Sequence, residues 1–344
     1  MAYKTCLINF LKSRPIEEKF FFSCRNGEVE VVKAIFNQLK FPKELEVPYS
    51  KAPFILYFQL ESILDFDVNS TKRYGKTPFY IACQQGHIEI VKLLLNDNRV
   101  DVNRGFENYR ATPFSIACQQ GHIEIVKLLL NDKRVDINKA RDDGSTPFLI
   151  ACYNGYIDIV KLLLNDQRVD PNKPTNSRIT PLHIVCQNGN IEIVKLLLND
   201  ERVEIEKTDN LDFSPFFYAC LKGCIEIVKL FLNNERFDIN KVYGDGWTPF
   251  YEICGIGLIE IVEYVLANGR EVVLNIGKKD EESVISLVRI RGNQEKRDWE
   301  SEENFQNRKR SHGMIVKLLE LFERNPNETR FKLRKLQGIL GKIF

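Results

Sequence analysis

The chain has 344 residues, 44% hydrophobic and 28% charged, a globular composition with too much apolar matter for disorder. Its 49 Lys and Arg against 47 Asp and Glu leave a formal net charge of +2, which excludes an overall field that would grip nucleic acid or membrane. Mean hydropathy is −0.26, and no apolar run approaches the roughly 18 residues of a membrane span.

The opening residues, MAYKTCLINFLKSRP, lack the apolar run and cleavage site of a secretory leader. A cytoplasmic protein is expected, with NRKR (307–310) a weak nuclear-import signal. FFFSCRNGEVEVVKAIF (20–36) echoes a unit that recurs downstream. Gly27 and Gly86 lie 59 residues apart, so KFPKELEVPYSKAPFILYFQLESIL (40–64) reads as an insertion, with an extra helix after Pro53. Residues 1–69 are thus expected to be a degenerate N-terminal capping repeat, closed by DFDVN at 65–69.

From residue 70 the chain repeats itself. A Thr-Pro or Ser-Pro pair opens at Thr77, Thr112, Thr146, Thr180, Ser214 and Thr248, spaced by 35 and then four times by 34. Glycine keeps the same beat at Gly86, Gly121, Gly155, Gly189, Gly223 and Gly257. In the unit at 146–172, Thr146 is an N-cap with Pro147 at the first helical position. PFLIACYN is a short buried helix ended by Gly155. IDIVKLLLN is a second helix, with Ile157, Val160, Leu163 and Leu164 on one face. Asn165 and Asp166 are types that tolerate a left-handed C-cap, and RVDPN then runs extended. Such helices fall short of the roughly 12–15 residues at which a lone helix becomes marginal, so each unit must pack on its copies.

TPLHIVCQNGNIEIVKLLL at 180–198 closely resembles the ankyrin repeat. Six repeats are read at about 70–103, 104–138, 139–172, 173–206, 207–240 and 241–275. The resemblance implies an all-α solenoid of helix-turn-helix repeats with short β-hairpin-like fingers. It also implies a concave face that grips other proteins. Most units here have 34 residues where the family usually has 33, and DxRVD replaces its G-A-D. The motif histidine survives only as His183; Tyr80, Ser115, Leu149, Phe217 and Tyr251 replace it.

Residues 276–344 are expected to form a helical C-terminal cap. GMIVKLLELF (313–322) echoes the second helix, after a charged stretch at 292–312 expected to be a mobile loop. The tail, ETRFKLRKLQGILGKIF, reads as a basic amphipathic helix with Phe331, Leu333, Leu336 and Leu340 as apolar anchors covering the array's end. The alternative is a targeting helix for nucleic acid or membrane.

Seven of nine cysteines, Cys24, Cys83, Cys118, Cys152, Cys186, Cys220 and Cys254, share one position on helix one. They are expected to be buried, reduced and inert. Carboxylates recur at Glu89, Glu124, Asp158, Glu192, Glu226 and Glu260, where favouring the helix dipole explains them. His87 and His122 follow turn glycines and read as structural. With no catalytic constellation, metal set or phosphate loop, no enzyme activity, cofactor or small-molecule substrate is expected. The expected function is a monomeric, non-catalytic scaffold or adaptor. Its partner-binding candidates are the non-periodic aromatics and arginines of the fingers: Arg73, Tyr74, Phe106, Tyr109, Arg110, Arg141, Arg178, Tyr243 and Trp247.

Overall fold

A computed structural model gives the protein at residues 16–40, 67–71, 75–244, 246, 248–274 and 283–337. The expected insertion, with its helix after Pro53, lies almost wholly outside the described residues. The chain divides into two compact units, 1–176 and 177–344.

In the first unit α1 (Ile16–Asn26) pairs with α2 (Val29–Lys40), α3 (Pro78–Gln85) with α4 (Ile88–Leu95), α5 (Pro113–Gln120) with α6 (Ile123–Asn131), and α7 (Pro147–Asn154) with α8 (Ile157–Leu164). In the second, α9 (Pro181–Asn188) pairs with α10 (Ile191–Asn199), α11 (Pro215–Lys222) with α12 (Ile225–Asn233), and α13 (Pro249–Ile256) with α14 (Ile259–Asn268). A fourth pair, α15 (Val284–Asn293) and α16 (Glu302–Arg324), precedes α17 (Pro326–Leu336). Within each unit, up to α16, odd-numbered helices stack on one another and even-numbered ones form a second layer. The fold is the all-α solenoid type, with hairpin-like fingers such as the one in which Phe106 N–H donates to Ala111 C=O at 2.8 Å.

Local chemistry explains each pair. Thr77 Oγ1 accepts the Tyr80 N–H at 3.1 Å, and the same cap recurs at Thr112, Thr146, Thr180, Ser214 and Thr248. Pro follows each cap, where its missing N–H costs nothing. The turn glycine is needed twice over. Gly86 has φ of 79°, and a Cβ there would meet the His122 ring at 2.8 Å. That ring lies over the turn with Nε2 3.2 Å from Gln84 O. His87 does the same to Arg25 O at 2.9 Å, so both histidines are structural. The motif histidine His183 accepts the Thr180 N–H on Nδ1 at 3.1 Å and donates from Nε2 to Phe213 O at 3.0 Å.

The second helix does not end as expected. Asn165 is right-handed, with φ of −73°. The surplus residue of the 34-residue unit makes a different closure, an Asp-X-Arg clamp. Asp132 Oδ1 accepts the Arg134 N–H at 2.9 Å, and the guanidinium grips the same carboxylate at 2.6 Å. Arg134 Nη2 then donates at 2.7 Å to Leu95 O, a helix-end carbonyl of the preceding repeat. Arg168 repeats this with Asp166 and Leu130 O at 2.8 Å. Arg236 reaches Leu198 O at 2.7 Å with Asn234 in the acid's place. The orphan carbonyls of one helix are thus satisfied by the next repeat. Beside the clamp, Asn103 Nδ2 donates to Arg134 O at 2.6 Å and its Oδ1 accepts the Asp136 N–H at 2.8 Å. Asn69 makes the equivalent bonds one repeat earlier.

Val160, Leu163 and Leu164 are buried as expected, whereas Ile157 is exposed and Ile159 takes its place inside. All seven periodic cysteines are free and fully buried, and burial pushes their thiols well up. A thiol reagent is therefore expected to label none of the seven until the protein is denatured. Half-buried Cys224 should label first among the described thiols. Fast native labelling of Cys118 or Cys152, read by mass spectrometry, would contradict this packing.

The C-terminal region corrects two expectations. Residues 302–312 are not part of a loop: they are the first half of α16. Ser301 Oγ caps that helix by accepting the Asn304 N–H at 3.2 Å, and Glu302 and Glu303 favour its dipole. Arg308 ties it back through Glu300 at 2.9 Å and Arg291 O at 2.8 Å. Charged residues here form a solvated helix face. His312, midway along α16, sets Nε2 3.2 Å from Gly255 O and lays its ring over Gly257, as His122 does over Gly86. The α15/α16 pair thus repeats the histidine-over-glycine packing of the units before it, with the extra residues partly inside α16.

α17 packs on α14, with Leu333 buried as expected, whereas Phe331 and Leu336 are not the anchors. Leu333 and Thr329 are buried, and Arg334 and Arg330 donate to Ala267 O and Leu266 O at 2.8 and 3.3 Å. Phe331 and Leu336 are 57% and 82% exposed. Leu340 lies outside the described residues.

Candidate protein-binding surface

The fingers share a backbone demand that the sequence hides. The residue two before each helix-one cap is left-handed: Gly75, Gly144 and Gly246 in three fingers, Arg110, Arg178 and Asp212 in the others. Their φ values are 50°, 61° and 62° at the three non-glycine positions. An L-residue costs roughly 1–2 kcal/mol there relative to its usual regions, and glycine almost nothing. Nothing in the packing requires a side chain at Arg178, which is exposed.

In the first unit the fingers are strapped together: Asp142 N–H donates to Tyr109 O at 3.3 Å and Asn176 N–H to Asp143 O at 2.9 Å. Tyr109 stands 63% exposed. Its ring is 5.8 Å from that of half-buried Phe106, which is 6.1 Å from Tyr80. Lys76 Nζ sits over the Phe106 ring at 5.1 Å. Arg110 pairs with Asp142 at 3.2 Å, and Arg141 is half-buried, donating to Gln119 Oε1. Five of the nine expected residues, Phe106, Tyr109, Arg110, Arg141 and Arg178, therefore reach the surface wholly or in part, the first four as one cluster. Arg73, Tyr74 and Trp247 lie outside the described residues.

Tyr243 is the correction: at 6% exposure it belongs to the core of the second unit, tucked under the finger rather than displayed on it. Near it lies Glu252, 4% exposed, with Oε2 lacking a hydrogen-bond partner among the described residues. Burial, and then the charge of Asp209, push the Glu252 carboxyl up to about 8. Asp209 is itself buried, accepting the Leu211 N–H at 2.8 Å and the Tyr218 hydroxyl at 2.8 Å.

Column-by-column comparison of the copies could have found three further features. Glu252 stands where the other copies have Ile81, Ile116, Ile150, Ile184 and Tyr218. Tyr153 and Leu221, both exposed, stand where other copies have Gln84, Gln119 and Gln187. An open cleft of about 450 Å³ between α6 and α8 is no substitute site, since its Asp166 and Arg168 are spent on the clamp. Among the described residues no His, Cys, Asp and Glu gather as metal ligands, and no helix is long and apolar enough to cross a membrane.

The family model for ankyrin repeats (3 copies) matches residues 18–141, 133–210 and 202–276. The chain belongs to the ankyrin-repeat family. Ankyrin repeats are in general protein–protein interaction modules, and their fold is typically non-catalytic. Among solved structures the chain is similar to the ankyrin repeat domain of Bcl-3, described as a unique member of the IkappaB protein family. The two are 22% identical, with a TM-score of 0.56, over 62% of this chain and 95% of that one. That likeness shows the ankyrin fold. No curated protein matches.

Proposed function

We propose that this ankyrin-repeat chain is a non-catalytic scaffold or adaptor that holds a protein partner on its fingers and the adjoining edge of helix one. One observation carries the reading: Arg110 and Arg178 occupy left-handed positions that glycine fills in three sister fingers. Backbone strain retained where the same chain shows a cheaper solution points to what the side chain does for binding. The surrounding aromatics and arginines are the usual types of binding hot spots. Fingers strapped by backbone hydrogen bonds are preorganised, which lowers the ordering cost of association. The basic tail is less suited to targeting, because Arg330 and Arg334 are engaged on α14 carbonyls.

Arg110→Gly and Arg178→Gly test the reading by separating stability from binding. Each is expected to leave the melting temperature unchanged or raised, by up to about 1 kcal/mol of stability. Partner capture in a pull-down should fall in both. Undiminished capture by the double variant would contradict the proposal.

A further inference from the structure

The three fingers at 70–76, 104–111 and 139–145 hold seven Lys or Arg against three Asp or Glu, whereas the three at 173–179, 207–213 and 241–247 hold four against three. Two of the three acids of the first group are engaged, and the third lies against backbone. Asp142 pairs with Arg110 at 3.2 Å, Asp143 Oδ1 accepts the Ser145 N–H at 2.8 Å, and Glu107 lies against Gly75. Two cations at the root of these fingers make their direct contacts with neutral groups, with the charge of Asp143 acting on Arg141 from beyond ion-pair distance. Lys76 Nζ donates to Gln84 Oε1 at 3.3 Å and faces the Tyr80 and Phe106 rings. Arg141 donates to Gln119, and its Nε is buried without a hydrogen-bond partner. Neither has a carboxylate at ion-pair distance among the described residues. A partly desolvated guanidinium with no ion pair is costly, and a planar carboxylate is the group that satisfies it in two places at once.

We propose that this finger face of the first unit takes an acidic, extended polypeptide segment, its carboxylates meeting Arg141 and Lys76 and an aromatic or apolar side chain lying against Phe106 and Tyr109. This deepens, and rests on, the scaffold reading. Polypeptide fits better than nucleic acid on the chemistry of the helix-one edge. Gln84, Gln85, Gln119 and Gln120 line the edge of helix one, and their carboxamides both donate and accept, as peptide groups do.

The test titrates the full chain into a fluorescein-labelled random copolymer of glutamate and tyrosine, read by anisotropy at low and moderate salt. The wild type is expected to bind, more weakly as salt rises. Lys76→Gln combined with Arg141→Gln should weaken binding by at least about tenfold, the loss expected from one or two charge-assisted hydrogen bonds. Lys317→Gln, at an exposed position of α16, should leave it unchanged. Lys76→Gln alone, at a half-buried position whose only hydrogen bond among the described residues is to Gln84, should weaken binding with little change in melting, which covers the case in which the double variant unfolds. Absence of copolymer binding, equal affinity in the Lys76 variant, or displacement by oligothymidylate would each overturn the proposal. If the copolymer fails while Arg110→Gly and Arg178→Gly still abolish partner capture, acidic specificity falls and the scaffold reading stands.

Discussion

Phe216→Ala is expected to destabilise the second unit by about 3–5 kcal/mol, the usual range for truncating a buried aromatic. Phe216 is fully buried, with its ring 5.7 Å from Phe231 and 4.7 Å from Phe237. Those partners belong to α12 and the finger entry that follows, so one cavity would loosen both layers of a repeat. Repeats couple mainly to their neighbours, and the loss should spread to α9 and α13, which pack on α11. Leu336→Ala is the control, expected to change stability by less than about 0.5 kcal/mol, as exposed positions do. Chemical denaturation of both variants checks the pair. A small loss at Phe216 or a large one at Leu336 would mean that the cores are placed wrongly.

The second large effect is a pH dependence centred on Glu252. Its carboxyl stands at about 8 in the folded chain, raised first by burial and then by Asp209, against an ordinary value of 4.5. Between those values the folded chain holds a proton that the unfolded chain has released. Stability therefore falls as pH rises from about 4.5 to about 8, by a total on the order of a few kcal/mol at about 1.4 kcal/mol per unit. His183 acts in the opposite sense. Burial lowers it to about 4 from an ordinary 6.5, so its contribution is present above 6.5 and lost as pH falls through 4. The two slopes oppose one another between about 4.5 and 6.5, which leaves a decline above 6.5 that belongs to Glu252. Glu252→Gln should flatten that decline and exceed the wild type in stability above pH 8. Thermal melts of both proteins from pH 5 to 9 check it, and parallel profiles would contradict a buried, protonated Glu252.

The repeat architecture was legible because six copies of a capped helix, a glycine turn and an apolar second helix leave no other way to bury the same face six times. The Asp-X-Arg clamp was visible as a motif, but its meaning lies between repeats: nothing in DxRVD alone says that Arg134 reaches back to Leu95 O. Arg110, Arg178 and Asp212 conceal left-handed backbone because residue type announces that conformation only when it is glycine. The charged stretch before His312 has a composition that suits a loop and a solvated helix equally, and Ser301 with its acidic first turn decides for helix. In the tail, Thr329 and Leu333 share one face of α17, one turn apart; Phe331 lies on the opposite face, and Leu336, on the buried face by register, is exposed because it is the helix's last residue. An apolar count could not tell these faces apart.

Hydrogen exchange on the chain with its captured partner is the most direct measurement of the central claim. If the fingers carry the binding, amides in 104–111 and 139–145 should exchange more slowly in the complex, while α16 and α17 exchange as they do in the free chain. Slowing confined to α16 and α17, with the fingers unaffected, would contradict it.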